Sequence, residues 1–322
     1  MKKIKYPERG STDFINLVNA YKAIYTDLGQ KEVDWAQWKS DYHVTTIPET
    51  VEQLLEADVD LIADVYDRFT KLPIPAKMPN PNGGNDVDST EFKRLKAIFN
   101  YTNKYDDKIA GFFEEHAESL HISTCHYCEM AYVNVYTLAY PRTQPAATKY
   151  EYRRQFDVDH FLPKAICPII ALSLFNFVPS CQVCNSRIKL KNVLGTNTME
   201  WEKFNPAGKD YALDKNVSIR LRMWRRPDTK FRKKGNYYIY FRCKNGFRTA
   251  IDFFHLEERY EFHKVEALRL RELKAKYPQS TINRLAKFIG KKVSDVKEDI
   301  FHERFLKEKD RCFAKLTRDI LS

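Results

Sequence analysis

Two Cys-x-x-Cys pairs constrain this chain more than any other feature of its sequence. Cys125 and Cys128 form the first pair, and Cys181 and Cys184 form the second. Zinc prefers four thiolate or imidazole ligands in a tetrahedron, and two turns with this spacing supply them. The interval between the pairs is longer than in a usual zinc ribbon, so four ordinary buried cysteines remain the alternative. The pairs predict one structural Zn²⁺ site that joins two distant parts of the chain.

The other cysteines argue against a framework of disulfides. The chain has seven cysteines, an odd number, and Cys167, Cys243 and Cys312 are scattered. This usage is typical of a reducing compartment, so we expect a cytoplasmic protein. The first residues include lysines but no apolar segment typical of a signal peptide. No apolar run approaches the roughly 20 residues that cross a bilayer, so we expect no membrane partner.

Composition indicates a folded chain with a basic surface. The 322 residues are 43% hydrophobic and 14% aromatic, which suffices for the packed core of one large or two medium domains. Lys and Arg number 54 against 43 Asp and Glu, which gives a net charge of +11. Such a balance suits a polyanionic partner, although solubility alone also explains it.

A polar motif follows the first cysteine pair. Asp159 and His160 come after a short β-prone segment, and Asn176 lies 16 positions beyond His160. Asn185 lies 9 positions after Asn176 and directly follows the second cysteine pair. In residue type, order and spacing, this motif resembles the HNH endonuclease family with its ββα-metal finger. The resemblance covers residues 125–191, and zinc-stapled fingers of that family carry cysteine pairs at these places.

The resemblance implies a role for each motif residue in phosphodiester hydrolysis. That reaction needs an activated water and charge neutralisation at the phosphate. Asp159 would be a ligand of a catalytic divalent cation, Mg²⁺ or Mn²⁺, and His160 would be the general base. Asn176 would position the histidine, and Asn185, where the family often has histidine, would coordinate the cation through its amide oxygen. Asp157 lies on the same strand face as Asp159 and is an alternative ligand or a supporting carboxylate.

Basic residues on two segments are candidates for DNA contact. One group follows the motif on the same predicted helix, and the other alternates with apolar residues in the β-prone segment 216–242. Six further lysines and arginines lie between residues 225 and 234. A solvated strand face is the alternative for the second group. The predicted contacts are Arg187, Lys189, Lys191, Arg220 and Arg222.

These patterns predict an α+β fold. Mostly helical flanks surround a central zinc-stapled ββα-metal HNH finger, and a short basic β segment follows the finger. The predicted organisation is a helical region 1–120, which is a candidate for partner binding, a finger 121–200 and a C-terminal region 201–322. Within the first region, Pro48 predicts the start of one helix that continues to Lys71, and the run Asp88-Ser89-Thr90-Glu91 predicts a capping box that opens another.

Residues 248–256 and the charged helix predicted after them carry a second resemblance. They are similar to the tail of HNH proteins from bacterial anti-phage defence, in Septu-type and some retron-linked systems. That resemblance implies an antiviral nuclease with an ABC-type, SMC-like ATPase partner. Two other hypotheses remain: a DNA-binding zinc module that has lost its chemistry, and a scaffold subunit that gates an ATPase.

Overall fold

The computed structural model describes residues 2–80, 84–102, 104–140, 149–223, 236–301 and 311–322. Within these ranges helices dominate, and the strands pair in four two-stranded antiparallel sheets. This mixture confirms the predicted α+β class. The strands are β1 (Lys77–Met78), β2 (Val87–Asp88), β3 (Val135–Tyr140), β4 (Lys149–Arg154), β5 (Asp157–His160), β6 (Phe177–Ser180), β7 (Val217–Met223) and β8 (Tyr237–Cys243).

Helices form the N-terminal part of the fold. Their apolar faces bury large aromatic side chains, among them Trp35 and Trp38, whose stacked rings lie 5.4 Å apart. The helices are α1 (Thr12–Lys22), α2 (Leu28–Asp41), α3 (Val51–Leu55), α4 (Val59–Thr70), α5 (Thr90–Ile98) and α6 (Asp106–Glu115).

Side-chain caps correct two predictions in this region. The single helix predicted from Pro48 to Lys71 is wrong, because the chain breaks after α3 and starts again at α4. The Asp58 carboxylate accepts the Leu61 N–H at 2.9 Å, and this cap ends the continuity of the helix. Ser89 caps α5 by accepting the Phe92 N–H at 3.1 Å. The capping box predicted over Asp88–Glu91 is therefore a single cap, because the side chain three positions after Ser89 is Phe92, which cannot accept the return bond.

The C-terminal half combines one hairpin with short helices. Burial alternates along β7, where Val217 and Ile219 are buried and Arg220 and Arg222 are exposed, as predicted for a half-buried strand. The six basic residues between positions 225 and 234 lie outside the described residues. The helices are α7 (Thr198–Phe204), α8 (Leu213–Asn216), α9 (Arg248–Phe253), α10 (Leu256–Glu261), α11 (Lys264–Lys276), α12 (Gln279–Ile289), α13 (Val293–Phe301) and α14 (Ala314–Leu321).

One hydrophobic core includes side chains from Ile4 to Leu316. The Tyr21 hydroxyl donates to the Leu172 carbonyl at 2.7 Å, and the Tyr260 hydroxyl donates to the Cys128 carbonyl at 2.7 Å. Buried contacts therefore connect all three predicted segments. A smaller cluster on α12 and α13 is separate from this core. Within the described ranges, no helix combines the length and apolar character that a membrane span needs.

Candidate functional site

The two cysteine pairs meet in one buried cluster. The four sulfur atoms all lie within 4.8 Å of one another, and the Sγ atoms of Cys128 and Cys181 are 3.8 Å apart. A tetrahedron with metal–sulfur bonds of about 2.3 Å has edges of about 3.8 Å. No disulfide links these thiols. The predicted convergence of the pairs is confirmed, and the cluster has the donors and spacing that a metal ion such as zinc requires.

Hydrogen-bond donors surround the sulfur atoms. The Met130 N–H donates to Cys128 Sγ at 3.4 Å, and the Arg259 guanidinium donates to Cys184 Sγ at 3.4 Å. These donors stabilise negative charge on thiolate ligands. Burial raises the pKa of Cys125, so a cation bound among the four sulfur atoms would favour its thiolate form. His126 is not part of the cluster, because its Nδ1 donates to the Lys2 carbonyl at 2.9 Å.

A strand–strand–helix segment holds the second cysteine pair and the polar motif together. In the antiparallel pair β5–β6, Asp159 lies opposite Val178 and His160 lies opposite Phe177. A π-helix, Val183–Lys189, begins two residues after Cys181. Beside this segment lies a cavity of about 400 Å³, which Asp157, Asp159, His160 and Asn185 help to line. The fold therefore brings the predicted catalytic residues, apart from Asn176, to one cavity.

His160 is fixed in one orientation. Its Nε2 lies 2.9 Å from the Ala171 carbonyl, which can only accept, so Nε2 carries the proton. The ring packs edge-on against Tyr101, with 4.5 Å between centroids, and against Phe177 at 4.8 Å. No described residue hydrogen-bonds to Nδ1, the unprotonated nitrogen of this tautomer. Burial, with a smaller effect of the Lys164 charge, lowers the pKa of His160 well below its usual value. The imidazole is therefore neutral at physiological pH.

Asp159 is buried between two donors. The Tyr127 hydroxyl donates to its Oδ2 at 2.6 Å, and the Lys189 ammonium donates to its Oδ1 at 3.2 Å. Burial raises the pKa of Asp159, and the Lys189 charge opposes that shift. Each carboxylate oxygen keeps a second lone pair, so these bonds do not prevent metal coordination.

Lys189 lies inside the protein rather than on its surface. Its side chain is 1% exposed, and its ammonium also donates to the His160 carbonyl at 2.6 Å. The sequence predicts a DNA contact at this position, but the ammonium is occupied by Asp159 and His160. Arg187 and Lys191, the neighbouring predicted contacts, are exposed. Lys189 thus supports Asp159 and the backbone of His160 instead of offering its charge to solvent.

Asn176 braces the loop between β5 and β6. Its Oδ1 accepts the Leu162 N–H at 2.8 Å, and its Nδ2 donates to the carbonyls of Leu162 at 3.0 Å and Ile170 at 3.2 Å. The next carbonyl along the chain, that of Ala171, holds His160. Asn176 therefore contacts the backbone that orients the histidine rather than the imidazole itself.

Asn185 lies against Asp157. Its Nδ2 donates to Asp157 Oδ2 at 3.0 Å, and the Ser186 hydroxyl donates to the same oxygen at 3.0 Å. No described residue bonds to the other carboxylate oxygen of Asp157 or to the amide oxygen of Asn185. These two oxygens and the carboxylates of Asp159 and Asp106 are among the oxygen donors at the cavity that suit a hard divalent cation.

Sequence reasoning missed two contributors to the site, Tyr127 and Lys164. Tyr127 lies inside the first Cys-x-x-Cys pair, and only its position next to a metal-binding turn could have drawn attention to it. Lys164 follows the motif closely and lines the cavity, with its ammonium 3.8 Å from the centroid of the Tyr101 ring. Burial lowers the pKa of Lys164 to about 8, although Asp106 and Asp159 oppose the shift.

The two arginines of β7 have partners of their own. The Arg220 guanidinium donates to the Asp319 carbonyl at 3.4 Å, and the Arg222 guanidinium lies 4.1 Å from the centroid of the Tyr240 ring. Both side chains nevertheless remain exposed. Neither lines the cavity beside His160.

Comparison with known proteins finds no family model, no curated protein and no solved structure that matches this chain. The function proposed below therefore rests on the contacts of the site and on the sequence motif.

Proposed function

We propose that this chain is a metal-dependent endonuclease of the HNH type that hydrolyses phosphodiester bonds in DNA. The observation that carries the proposal is the tautomer of His160. Its Nε2 proton is held by the Ala171 carbonyl, so the basic Nδ1 lacks a described partner beside a cavity with three carboxylates, Asp106, Asp157 and Asp159. A neutral, fixed imidazole next to oxygen donors is the arrangement that a general base for water activation needs.

The reaction follows from these positions. Nδ1 of His160 takes a proton from water, and the water oxygen forms a bond to phosphorus. The phosphorus–oxygen bond to the leaving group breaks, and the leaving oxygen takes a proton from solvent. A divalent cation, Mg²⁺ or Mn²⁺, would neutralise charge on the phosphate and the leaving oxygen. Asp159, Asp157 and Asn185 are the side chains proposed to hold it.

Two further groups support the reaction without contacting the reacting atoms. Lys189 fixes the Asp159 carboxylate and the His160 backbone together, which sets the two groups relative to each other. Arg187 and Lys191 are exposed on the segment that carries Asn185, and their charges suit neighbouring phosphates of DNA.

The cysteine cluster has a structural role in this proposal. Zinc with four thiolates is closed to substrate, so the ion would stabilise the strand–strand–helix segment without taking part in hydrolysis. The resemblance of residues 248–256 supports a further proposal, a cytoplasmic effector of bacterial anti-phage defence with an ABC-type ATPase partner. In that segment Ala250 and Ile251 are buried, and Arg248 pairs with Asp252 and Glu257.

The decisive experiment is His160→Ala in a plasmid-relaxation assay across a titration of Mg²⁺ and Mn²⁺. Loss of a general base costs about 10²–10⁴-fold in rate, whereas fold, zinc content and DNA binding persist. His43→Asn is the control, because this exposed histidine has a φ of 55° that asparagine tolerates and lies outside the cavity lining. A folded His160→Ala protein with the wild-type rate would overturn the mechanism and leave the chain as a DNA-binding module.

The Asp159→Asn variant tests the proposed binding of the divalent cation in the same assay. The amide keeps the size of the side chain but weakens its hold on a cation, so cleavage falls and excess Mn²⁺ restores part of it. Excess metal does not restore His160→Ala, because the missing group there is a base. Equal rescue of both variants would show that the roles are assigned to the wrong residues.

A further inference from the structure

A second cavity lies apart from the candidate active site. Its volume is about 440 Å³, and it shares no lining residue with the cavity beside His160. The N-terminal segment, the turn before α8, α8 itself and α14 form its walls. Two carboxylates, Asp210 and Asp214, line it against six basic side chains, which are Lys2, Lys3, Lys5, Lys209, Lys215 and Arg318.

Ion pairs neutralise only part of this charge. The Arg318 guanidinium lies 2.8 Å from the Asp214 carboxylate, and the Lys209 ammonium pairs with Asp60 outside the cavity lining. The Lys3 ammonium donates to a carbonyl, that of Lys209, at 2.6 Å. For the ammonium groups of Lys5 and Lys215, no described residue provides a partner.

The lysines repel one another across the cavity. Burial lowers the pKa of Lys3, Asp210 opposes this shift, and the charge of Lys215 lowers the pKa further. The ammonium groups of Lys3 and Lys215 therefore repel each other, and the fold holds them close at a cost in free energy. A bound anion would remove this repulsion, so the arrangement favours an anionic occupant.

A tyrosine hydroxyl in the cavity wall has no partner among the described residues. Tyr211 is 8% exposed and lines the cavity, and no described residue hydrogen-bonds to its hydroxyl. Burial raises the pKa of Tyr211, so the group stays protonated and can donate. A protonated hydroxyl without a protein partner, beside clustered lysines, suits a phosphate oxygen.

From this cluster of lysines around an unpartnered tyrosine hydroxyl, we propose that the cavity binds a small ligand with two or more phosphate groups. Its volume lies in the range of about 300–1,000 Å³ that is typical of small-molecule sites. Contacts to a nucleic-acid backbone instead follow an extended groove of exposed charges. The proposal is independent of the nuclease function, since it uses other residues and another surface.

The test is isothermal titration of the full chain with sodium tripolyphosphate. Lys5→Ala/Lys215→Ala removes two exposed charges and no described side-chain contact, and it weakens binding about tenfold or more. Tyr211→Phe removes only the hydroxyl and weakens binding several-fold. Lys274→Ala/Lys287→Ala is the matched control, because both lysines are exposed on α11 and α12, and it leaves the affinity unchanged.

Three results would overturn the proposal. The wild-type chain could fail to bind tripolyphosphate, or the cavity variant could bind it as well as the control variant does. The third result would be that a short single-stranded oligonucleotide binds and tripolyphosphate does not, and that the Lys5→Ala/Lys215→Ala variant loses affinity for the oligonucleotide. That result would assign the cavity to nucleic-acid contact.

Discussion

The cysteine cluster, through its second pair, and the His160 cavity both use the strand–strand–helix segment, yet their polar atoms are satisfied differently. In the cluster, four buried sulfur atoms face one another within 4.8 Å. In the cavity, the Nδ1 of His160 and one carboxylate oxygen of Asp157 have no partner among the described residues. A closed set of ligands can hold an ion but offers no position to substrate, whereas an open set can act on one.

This difference separates two kinds of damage. Loss of a sulfur ligand removes a link between distant parts of the chain, so the damage falls on folding. In the proposed nuclease, loss of a group beside the cavity removes an interaction with substrate or water, so the damage falls on turnover. The following substitutions test whether the two kinds of damage are separate. Lys189 is the exception, because its loss is expected to affect both folding and turnover.

The largest effect is expected for Cys181→Ala. Structural zinc contributes on the order of 10 kcal/mol of apparent binding free energy at such sites, so the variant loses zinc and the finger unfolds. Elemental analysis and thermal melting by circular dichroism measure both effects. Cys243→Ala is the control, since this partly exposed thiol lies outside the cluster. A well-folded wild-type chain without zinc would contradict the prediction.

Lys189→Met is expected to damage both folding and turnover. It leaves the Asp159 carboxylate buried without its cation, which costs about 3–5 kcal/mol in the free energy of unfolding. Adding Asp159→Leu removes the unpaired charge, so stability returns while cleavage stays lost. Urea unfolding and plasmid relaxation give the two readouts. Wild-type stability in the single variant would mean that the buried pair contributes nothing.

Lys164 makes the cavity sensitive to pH. Its pKa of about 8 means that the ammonium charge is lost as pH rises through that value, and DNA binding weakens with it. Lys164→Arg stays charged and removes this part of the pH dependence. Fluorescence anisotropy with labelled DNA between pH 7 and 9 measures the effect. An identical pH profile in the two proteins would exclude Lys164 from phosphate binding.

Stability responds to the same group with the opposite sign. The folded-state pKa of about 8 lies below the ordinary value of 10.5, so the folded chain binds fewer protons between these values. The free energy of unfolding therefore rises with pH across this window through Lys164. Lys164→Arg does not show that rise.

The smallest effect is expected for Arg220→Ala/Arg222→Ala. Removal of these groups flattens the dependence of DNA affinity on salt by about one unit per lost phosphate contact. The effect is small because both guanidinium groups already have protein partners, Asp319 and Tyr240. Arg284→Ala, an exposed arginine on α12, is the control. An unchanged slope would assign β7 to a different surface.

Local spacing allowed the cysteine cluster to be predicted, because each pair contributes two ligands from one turn. The alternation of β7 was predictable for the same reason. The burial of Lys189 could also have been predicted from local spacing, but the sequence analysis assigned Lys189 to DNA contact instead. Lys189 lies four positions after Asn185, which puts the two on one face of the predicted helix, whereas Arg187 lies on another.

The remaining contacts of the site depend on the tertiary fold. Tyr127 reaches Asp159 across 32 positions, and Asn185 reaches Asp157 across 28. No periodicity in the sequence specifies which side chains meet over such distances. The break between α3 and α4 was missed because the apolar pattern continues through Asp58, and the competing cap is a local hydrogen bond.

Residues that the ribosome adds well after the second cysteine pair complete the surroundings of the cysteine cluster. Arg259, which donates to Cys184, follows it by 75 positions, and Lys315, whose N–H donates to the Glu129 carboxylate at 3.0 Å, follows that residue by 186. At the usual rate of synthesis, these surroundings are complete on the order of ten seconds after the second pair is made. Any metal ion that binds in this interval meets accessible thiols. Its selection then depends on the free metal concentrations of the cell as much as on the finished shell.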